Sequence, residues 1–168
     1  GSGQFRVVLS SNASLPLAYI TDDNKPSPAT APNFVMLLRK HINNGRIISI
    51  TQPSFERIID IEIEHLDELG DLCRRHLITE FMGKHSNIIL CDDKNNILDS
   101  IKHVSAQMSS VREVLPGRTY FIPNTAGKHN PMDTDYERFS TSVLICPKPL
   151  SKALCQTYTG ISTCIAEE

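Results

Sequence analysis

The sequence predicts an α+β fold, mainly an antiparallel β-sandwich or partly open barrel with a packed helix and a short helical segment at its C-terminal end. Residues 57–64 alternate isoleucine with acidic residues, which is typical of a strand with one buried and one wet face. Residues 32–43 carry apolar side chains at helical spacing. Several further short apolar runs are separated by turn-forming residues, which indicates hairpins rather than crossover helices.

The N-terminal part is expected to contain two strands followed by the clearest helix. Residues 4–10 and 17–21 have strand character, and the Asp-, Asn- and Pro-rich stretch after them predicts a loop. The helix over 32–43 places Phe34, Leu37, Leu38 and Ile42 on one face. Thr30 is a candidate N-cap, and residues 43–45 (Asn-Asn-Gly) predict its end, with the glycine available for positive φ.

The middle of the chain predicts a meander of short strands. The expected strands cover residues 46–52, 57–64, 76–82, 87–91, 96–104 and 118–122. Residues 67–73 are expected to be a polar connection, and residues 83–86, 92–96 and 115–117 have turn composition. About seven strands and one firm helix are therefore expected, with residues 136–146 and 149–168 partly helical and a tight turn at 159–162.

Composition excludes several classes of protein. The chain has 168 residues and a formal net charge of −2, and it lacks a run of about 18 apolar residues that would span a membrane. Its five cysteines and six histidines form no Cys-x-x-Cys or His-Glu-x-x-His pattern, so reduced, mostly buried thiols are expected and neither a metal nor a cofactor is. No nucleophile motif, Walker loop or Rossmann glycine pattern is present, so the chain is not expected to be an enzyme.

Polar groups suited to an RNA backbone occur in two places, although the overall charge does not favour nucleic-acid binding. Lys84, His85, Ser86 and Asn87 form a predicted turn, with Lys102 at the end of a nearby strand. Arg39 and Lys40 lie in the last turns of the predicted helix, where basic residues also suit the helix dipole. Turns are polar in any case, so spacing alone leaves a structural role equally open.

The adjacent pair Glu56-Arg57 precedes the alternating strand. An internal ion pair is the plain interpretation. An arginine oriented by a neighbouring carboxylate is also a suitable fork for a phosphate or a base edge. The residues alone do not decide between these alternatives.

Five stretches together resemble the NFACT family, in the order in which that family has them. Residues 82–90 (Met-Gly-Lys-His-Ser-Asn-Ile-Ile-Leu) are similar to the family's most recognisable run. The other four similar stretches are residues 31–42, 99–104, 111–117 and 120–123. Such ordered matches along one chain are specific, and the bacterial branch of the family is the most similar.

The resemblance implies a fold similar to the N-terminal domain of formamidopyrimidine-type DNA glycosylases. It implies an NFACT N-terminal domain over residues 1–132, a linker over 133–150 and the start of a helix-hairpin-helix domain over 151–168. Compared with the family, the sequence lacks early strands before residue 4 and the coiled-coil arms and RNA-binding domain after residue 168, so it is expected to be a fragment or a cleaved chain.

In function, the resemblance implies a cytoplasmic ribosome quality control factor. Members of the family bind large ribosomal subunits blocked by peptidyl-tRNA. The bacterial branch recruits alanyl-tRNA and supports alanine tailing of stalled chains, while the ribosome itself catalyses peptidyl transfer. The family's tRNA-binding pair is Asp-Arg, and the matching positions here are Glu56 and Arg57, so glutamate replaces aspartate.

Two other functions remain to be weighed against tRNA binding. A glycosylase-like nucleic-acid enzyme is suggested by fold similarity only, which does not establish function. A fibronectin-binding surface adhesin is suggested by an older label of the family, and the lack of a visible signal or anchor argues against it.

Overall fold

A computed structural model describes residues 3–123 and 127–168. Seven strands and four α-helices occur within these ranges. They are β1 (Arg6–Ser10), β2 (Leu17–Thr21), α1 (Asn33–Ile42), β3 (Arg46–Thr51), β4 (Ile58–Leu66), β5 (Leu72–Glu80), β6 (Asn87–Asp92), β7 (Ile97–Ser100), α2 (Tyr136–Phe139), α3 (Leu150–Thr157) and α4 (Thr163–Glu167). Short 3₁₀ helices cover Gly83–His85 and Pro131–Asp133, and a π-helical turn covers Ser140–Leu144.

All paired strands run antiparallel. β1 and β2 form a two-stranded sheet, and β3 to β7 form a five-stranded meander in chain order. The mainly antiparallel α+β fold predicted from the sequence is confirmed. Within the described residues, none of the helices has the length and apolar character needed to cross a bilayer.

The chain forms two compact units. The first contains the chain up to Thr51 together with Ile58–Phe121, and the second contains Gln52–Arg57 together with the chain from Ile122 onward. The short segment between β3 and β4 therefore belongs with residues that follow it far along the chain. The expected linker over 133–150 contains α2 and the π-helical turn. Residues 124–126 lie outside the described residues.

The core of the first unit lies between α1 and the inner face of the larger sheet. It contains the buried residues Phe34, Ile61, Ile63, Leu77, Ile88 and Leu90, with Leu9, Leu37, Leu38 and Ile42 packed against it. The apolar face predicted for the helix and the buried face predicted for β4 therefore meet. Burying apolar side chains of this size contributes about 1.5–3 kcal/mol each.

The start and end of α1 differ from the sequence prediction. Pro32 occupies the N-cap position without a side-chain hydrogen bond, so Thr30 is not the cap. At the other end Asn44, not Gly45, takes the positive φ of 57°. Gly45 is needed for space instead, because a Cβ there would lie 2.6 Å from Cγ2 of Ile63.

Strand β5 begins earlier than predicted, and its basic side chains pair with the acidic side chains on the outer face of β4. Arg74 and His76 lie opposite Glu64 and Glu62 of β4. Arg74 Nη1 donates to Glu62 at 2.8 Å, and Arg46 of β3 pairs with Glu64 at 2.8 Å. The acidic face predicted for β4 is thus a ladder of half-exposed ion pairs, which offsets the strand's negative charge.

The predicted strand over 118–122 is absent. Thr119 makes a single bridge to Asn96, and the turn before it is closed by a hydrogen bond from Arg118 N to the Leu115 carbonyl. The thiols also differ from expectation, since only Cys91 of the five unpaired cysteines is buried and Cys164 is exposed. Burial, with a smaller effect from Asp92, raises the pKa of the Cys91 thiol to about 12.

Candidate functional site

The Glu56-Arg57 pair ends a tight loop between β3 and β4. The Glu56 amide donates to the Pro53 carbonyl at 3.1 Å, and the Gln52 side chain donates to the Glu56 carbonyl at 2.7 Å. Ser54 adopts a positive φ of 51°, which an L-residue rarely takes without support from its surroundings. Hydrogen bonds within the loop thus fix its backbone, and Glu56 and Arg57 are its last two residues.

The Glu56 carboxylate is held by a residue far along the chain. The Thr159 hydroxyl donates to Oε1 of Glu56 at 3.1 Å, across 103 positions of sequence. Thr159 is 6% exposed and Glu56 is half-buried, so this contact is partly shielded from water. Hydrogen bonds to a carboxylate in such surroundings are stronger than those between neutral groups.

Arg57, in contrast, is exposed. Of the ion pairs that the structure shows between described residues, none includes the Arg57 guanidinium. The internal Glu56–Arg57 ion pair that the sequence left open is therefore not among them. No hydrogen bond between described side chains uses the guanidinium either, so its N–H donors can bind a phosphate or a base edge.

The other predicted RNA contacts divide into exposed and buried groups. Lys84 and His85 are exposed in the short 3₁₀ helix between β5 and β6, and Arg39 is exposed on α1. Lys40 is also on the surface, where it pairs with Glu68 at 3.1 Å. These four side chains can reach a ligand, and contact with RNA stays a prediction for them.

Ser86, Asn87 and Lys102 serve the fold of the first unit instead. Ser86 is completely buried and accepts from the Met82 amide, while the Asn87 side chain donates to the Lys102 carbonyl at 2.8 Å. The Lys102 ammonium donates to the carbonyls of Ser86 and Ser11 at 2.8 and 2.6 Å. The side chains that looked like phosphate ligands in the sequence are thus occupied in closing the turn.

A second arginine–glutamate cluster, which sequence reasoning did not single out, lies inside the first unit. Arg112 Nη2 donates to Oε1 of Glu80 at 2.6 Å and also contacts Oε2, and the Tyr120 hydroxyl donates to Oε1 at 2.9 Å. Glu80 is fully buried. Burial, and then the neighbouring Glu80 charge, raises the pKa of Tyr120 well above its ordinary value, so the phenol remains a donor.

Sequence reasoning also missed the residues that hold the Glu56 loop. Thr159 and Gly160 were recognised only as a turn, and nothing in their local sequence points to Glu56. Gly160 has φ of +74°, and a Cβ built on it would lie 2.2 Å from Cδ1 of Phe55. Because Phe55 and Gly160 are far apart in the sequence, their close approach is visible only in the folded structure.

Comparison with known proteins shows which family this chain matches. Residues 1–168 match the family described as NFACT N-terminal and middle domains. The chain is 37% identical over 164 residues to a Bacillus subtilis protein named Rqc2 homolog RqcH, covering 97% of this chain and 29% of that protein. It is 34% identical to the protein of the same name from Streptococcus pneumoniae D39, covering 97% and 30%.

Solved structures agree with this match. The N-terminal domain of fibronectin-binding protein PavA from Streptococcus pneumoniae superposes with a TM-score of 0.84 at 34% identity, covering 96% of this chain and 60% of that one. The N-terminal part of the fibronectin/fibrinogen-binding protein from Streptococcus suis gives 0.86 at 33% identity, covering 98% and 61%. The chain spans less than a third of the length of the curated relatives above, and it belongs to the NFACT family through its N-terminal and middle domains.

Proposed function

We propose that this chain is a non-catalytic tRNA-binding module of a ribosome quality control factor. Its curated relatives carry the name Rqc2 homolog RqcH. The observation that carries the proposal is an exposed Arg57 that directly follows Glu56, whose carboxylate accepts a hydrogen bond from Thr159. These two positions match the pair that binds tRNA in the family.

The chemistry of the loop suits a nucleic-acid backbone. A guanidinium donates two parallel hydrogen bonds to phosphate oxygens or to a guanine edge, which combines charge with orientation. The Glu56 carboxylate cannot bind phosphate, but its hydrogen bond from Thr159 fixes the end of the loop from which Arg57 extends. The pair therefore selects a position on the tRNA, while total affinity must come from many further contacts, since the chain has a net charge of −2.

The wider role follows from the family. The module helps to hold alanyl-tRNA on a large ribosomal subunit blocked by peptidyl-tRNA, so that the stalled chain receives a C-terminal alanine tail. The ribosome performs the peptidyl transfer, and the factor works in the cytoplasm where ribosomes are. The exposed side chains Arg39, Lys40, Lys84 and His85 are the expected contacts with RNA backbone.

The names of the solved relatives favour a second candidate function, which is binding of fibronectin at the cell surface. In that case the exposed Arg57 would contact a protein rather than RNA. The two functions differ in the molecules that accompany the protein when it is isolated from cells.

The test is sequencing of the RNA that co-purifies with the complete natural protein. Wild type is expected to enrich alanine tRNA and large-subunit rRNA. Arg57→Ala should lower the tRNA by at least about fivefold, because a bidentate arginine contact contributes roughly 1–3 kcal/mol. Arg118→Ala is the matched control, since Arg118 is a surface arginine that pairs with Glu113 at 2.9 Å.

Equal tRNA in wild type and Arg57→Ala would remove the assigned site. Absence of both RNAs from wild type, together with recovery of the protein at the cell surface, would favour the adhesin function instead.

A further inference from the structure

We propose that Thr159 is a positioning residue for the tRNA-binding pair, because it fixes Glu56 and so the end of the loop from which Arg57 extends. This inference rests on the proposed function and adds to it that the C-terminal helical segment completes the site. The Thr159 hydroxyl reaches Oε1 of Glu56 at 3.1 Å, and Arg57 follows directly in the chain.

The backbone of Thr159 is itself held in place by hydrogen bonds. Its amide donates to the His129 carbonyl at 2.9 Å, and the His129 amide donates to the Thr157 carbonyl at 2.8 Å. The neighbouring Tyr158 is buried in the core of the second unit with Val143 and Ala153. A β-branched side chain on such a fixed backbone has few rotamers, so the hydroxyl points at Glu56 at little entropic cost.

Three consecutive loop residues, 54–56, contact residues 130, 159 and 160, so the loop is held by more than one hydrogen bond. The Asn130 side chain donates to the Ser54 hydroxyl at 3.4 Å. The Phe55 ring lies against Gly160, where a Cβ would be 2.2 Å from Cδ1. Glu56 then accepts from Thr159. The loop backbone that leads into Arg57 is therefore oriented by residues 130, 159 and 160.

The hydrogen bond from Thr159 matters because position 56 is a glutamate rather than an aspartate. Glutamate has one more rotatable bond than the aspartate of the family's pair, so its side chain loses more conformational freedom when it is held in one position. A hydroxyl that holds one carboxylate oxygen removes much of that freedom in advance. Thr159 is thus expected to matter for Glu56 and to matter far less for an aspartate at the same position.

The experiment measures tRNA per large-subunit rRNA recovered with the complete natural protein. Thr159→Val keeps the shape and removes the hydroxyl, and Thr159→Ser keeps the hydroxyl. We expect Val to lower tRNA by roughly three- to tenfold, with Ser within about twofold of wild type, since contacting residues show coupling of this size. Melting temperature and rRNA recovery should be unchanged.

A double-mutant cycle distinguishes positioning from a merely structural role. In a Glu56→Asp background the shorter carboxylate is expected to lie out of reach of Thr159, so adding Thr159→Val should change tRNA by less than about twofold. An equal loss in both backgrounds would overturn the proposal. If the valine variant is destabilised, the same cycle with Thr159→Ala decides the question, because the smaller side chain cannot clash.

The failures of the two proposals look different. Loss of tRNA in Arg57→Ala with wild-type levels in Thr159→Val overturns the role of Thr159 alone. Unchanged tRNA in Arg57→Ala, or no tRNA with wild type, overturns both.

Discussion

Arg112 contacts Glu80 in the structure and Arg57 follows Glu56 in the sequence, and the two arginines differ in the features that decide their role. Arg112 is 10% exposed, and its guanidinium contacts Glu80, the Phe121 carbonyl at 2.7 Å and the face of Tyr120 at 5.4 Å. Arg57 is exposed at the end of a loop. The first arginine has used its donors within the fold, and the second presents them to solvent.

The comparison teaches that resemblance to a family motif does not separate structural residues from binding residues. Arg112 lies in one of the stretches that resemble the NFACT family, as does the buried Ser86. Both satisfy polar groups that burial would otherwise leave unpaired at a cost of about 1–3 kcal/mol. Exposure and hydrogen-bond partners, rather than residue type, assign the role.

The largest expected effect comes from breaking the buried cluster. Arg112→Ala leaves the Glu80 carboxylate buried without its counter-charge, so the free energy of unfolding should fall by roughly 3–5 kcal/mol. Urea unfolding followed by circular dichroism measures it. Arg118→Ala is the control for losing an exposed pair and should cost no more than about 1 kcal/mol. Similar losses in the two variants would contradict the distinction drawn here.

A smaller effect is expected at the contact between Gly160 and Phe55, which lies in the loop that ends at Arg57. Gly160→Ala should reduce the free energy of unfolding by roughly 2–4 kcal/mol, since the added Cβ is strained at positive φ and also meets the Phe55 ring. Gly117→Ala is the matched control, because Gly117 has φ of +80° with nothing within 4 Å of its Cβ position. The control should cost only about 1 kcal/mol, and the difference between the two variants measures the close contact.

The smallest expected effect is that of Arg57 on stability. Arg57→Ala should change the free energy of unfolding by less than about 0.5 kcal/mol in the same urea experiment, because an exposed side chain loses no burial when it is shortened. A loss of several kcal/mol would show that Arg57 has a structural role like that of Arg112, and its tRNA phenotype would then have to be read as unfolding.

Much of the fold could be predicted because its signals are local. The apolar face of α1 and the alternation in β4 follow from side-chain periods of 3.6 and 2 residues, which are visible in any short window. The early start of β5 could not be predicted in this way, because Arg74 and Arg75 look unsuited to a strand until Glu64 of β4 lies opposite Arg74. The role of Gly45 could not be predicted either, because the need for a glycine there comes from Ile63 of β4, while Asn44 takes the positive φ.

The sequence by itself determined the elements, the buried faces and, through the family resemblance, the two residues of the candidate site. Only the tertiary structure decided which polar groups are available, because the deciding contacts join positions far apart, 32 residues between Glu80 and Arg112 and 103 between Glu56 and Thr159. Local patterns report what a residue can do. Burial and distant partners determine whether its donors and acceptors are already used.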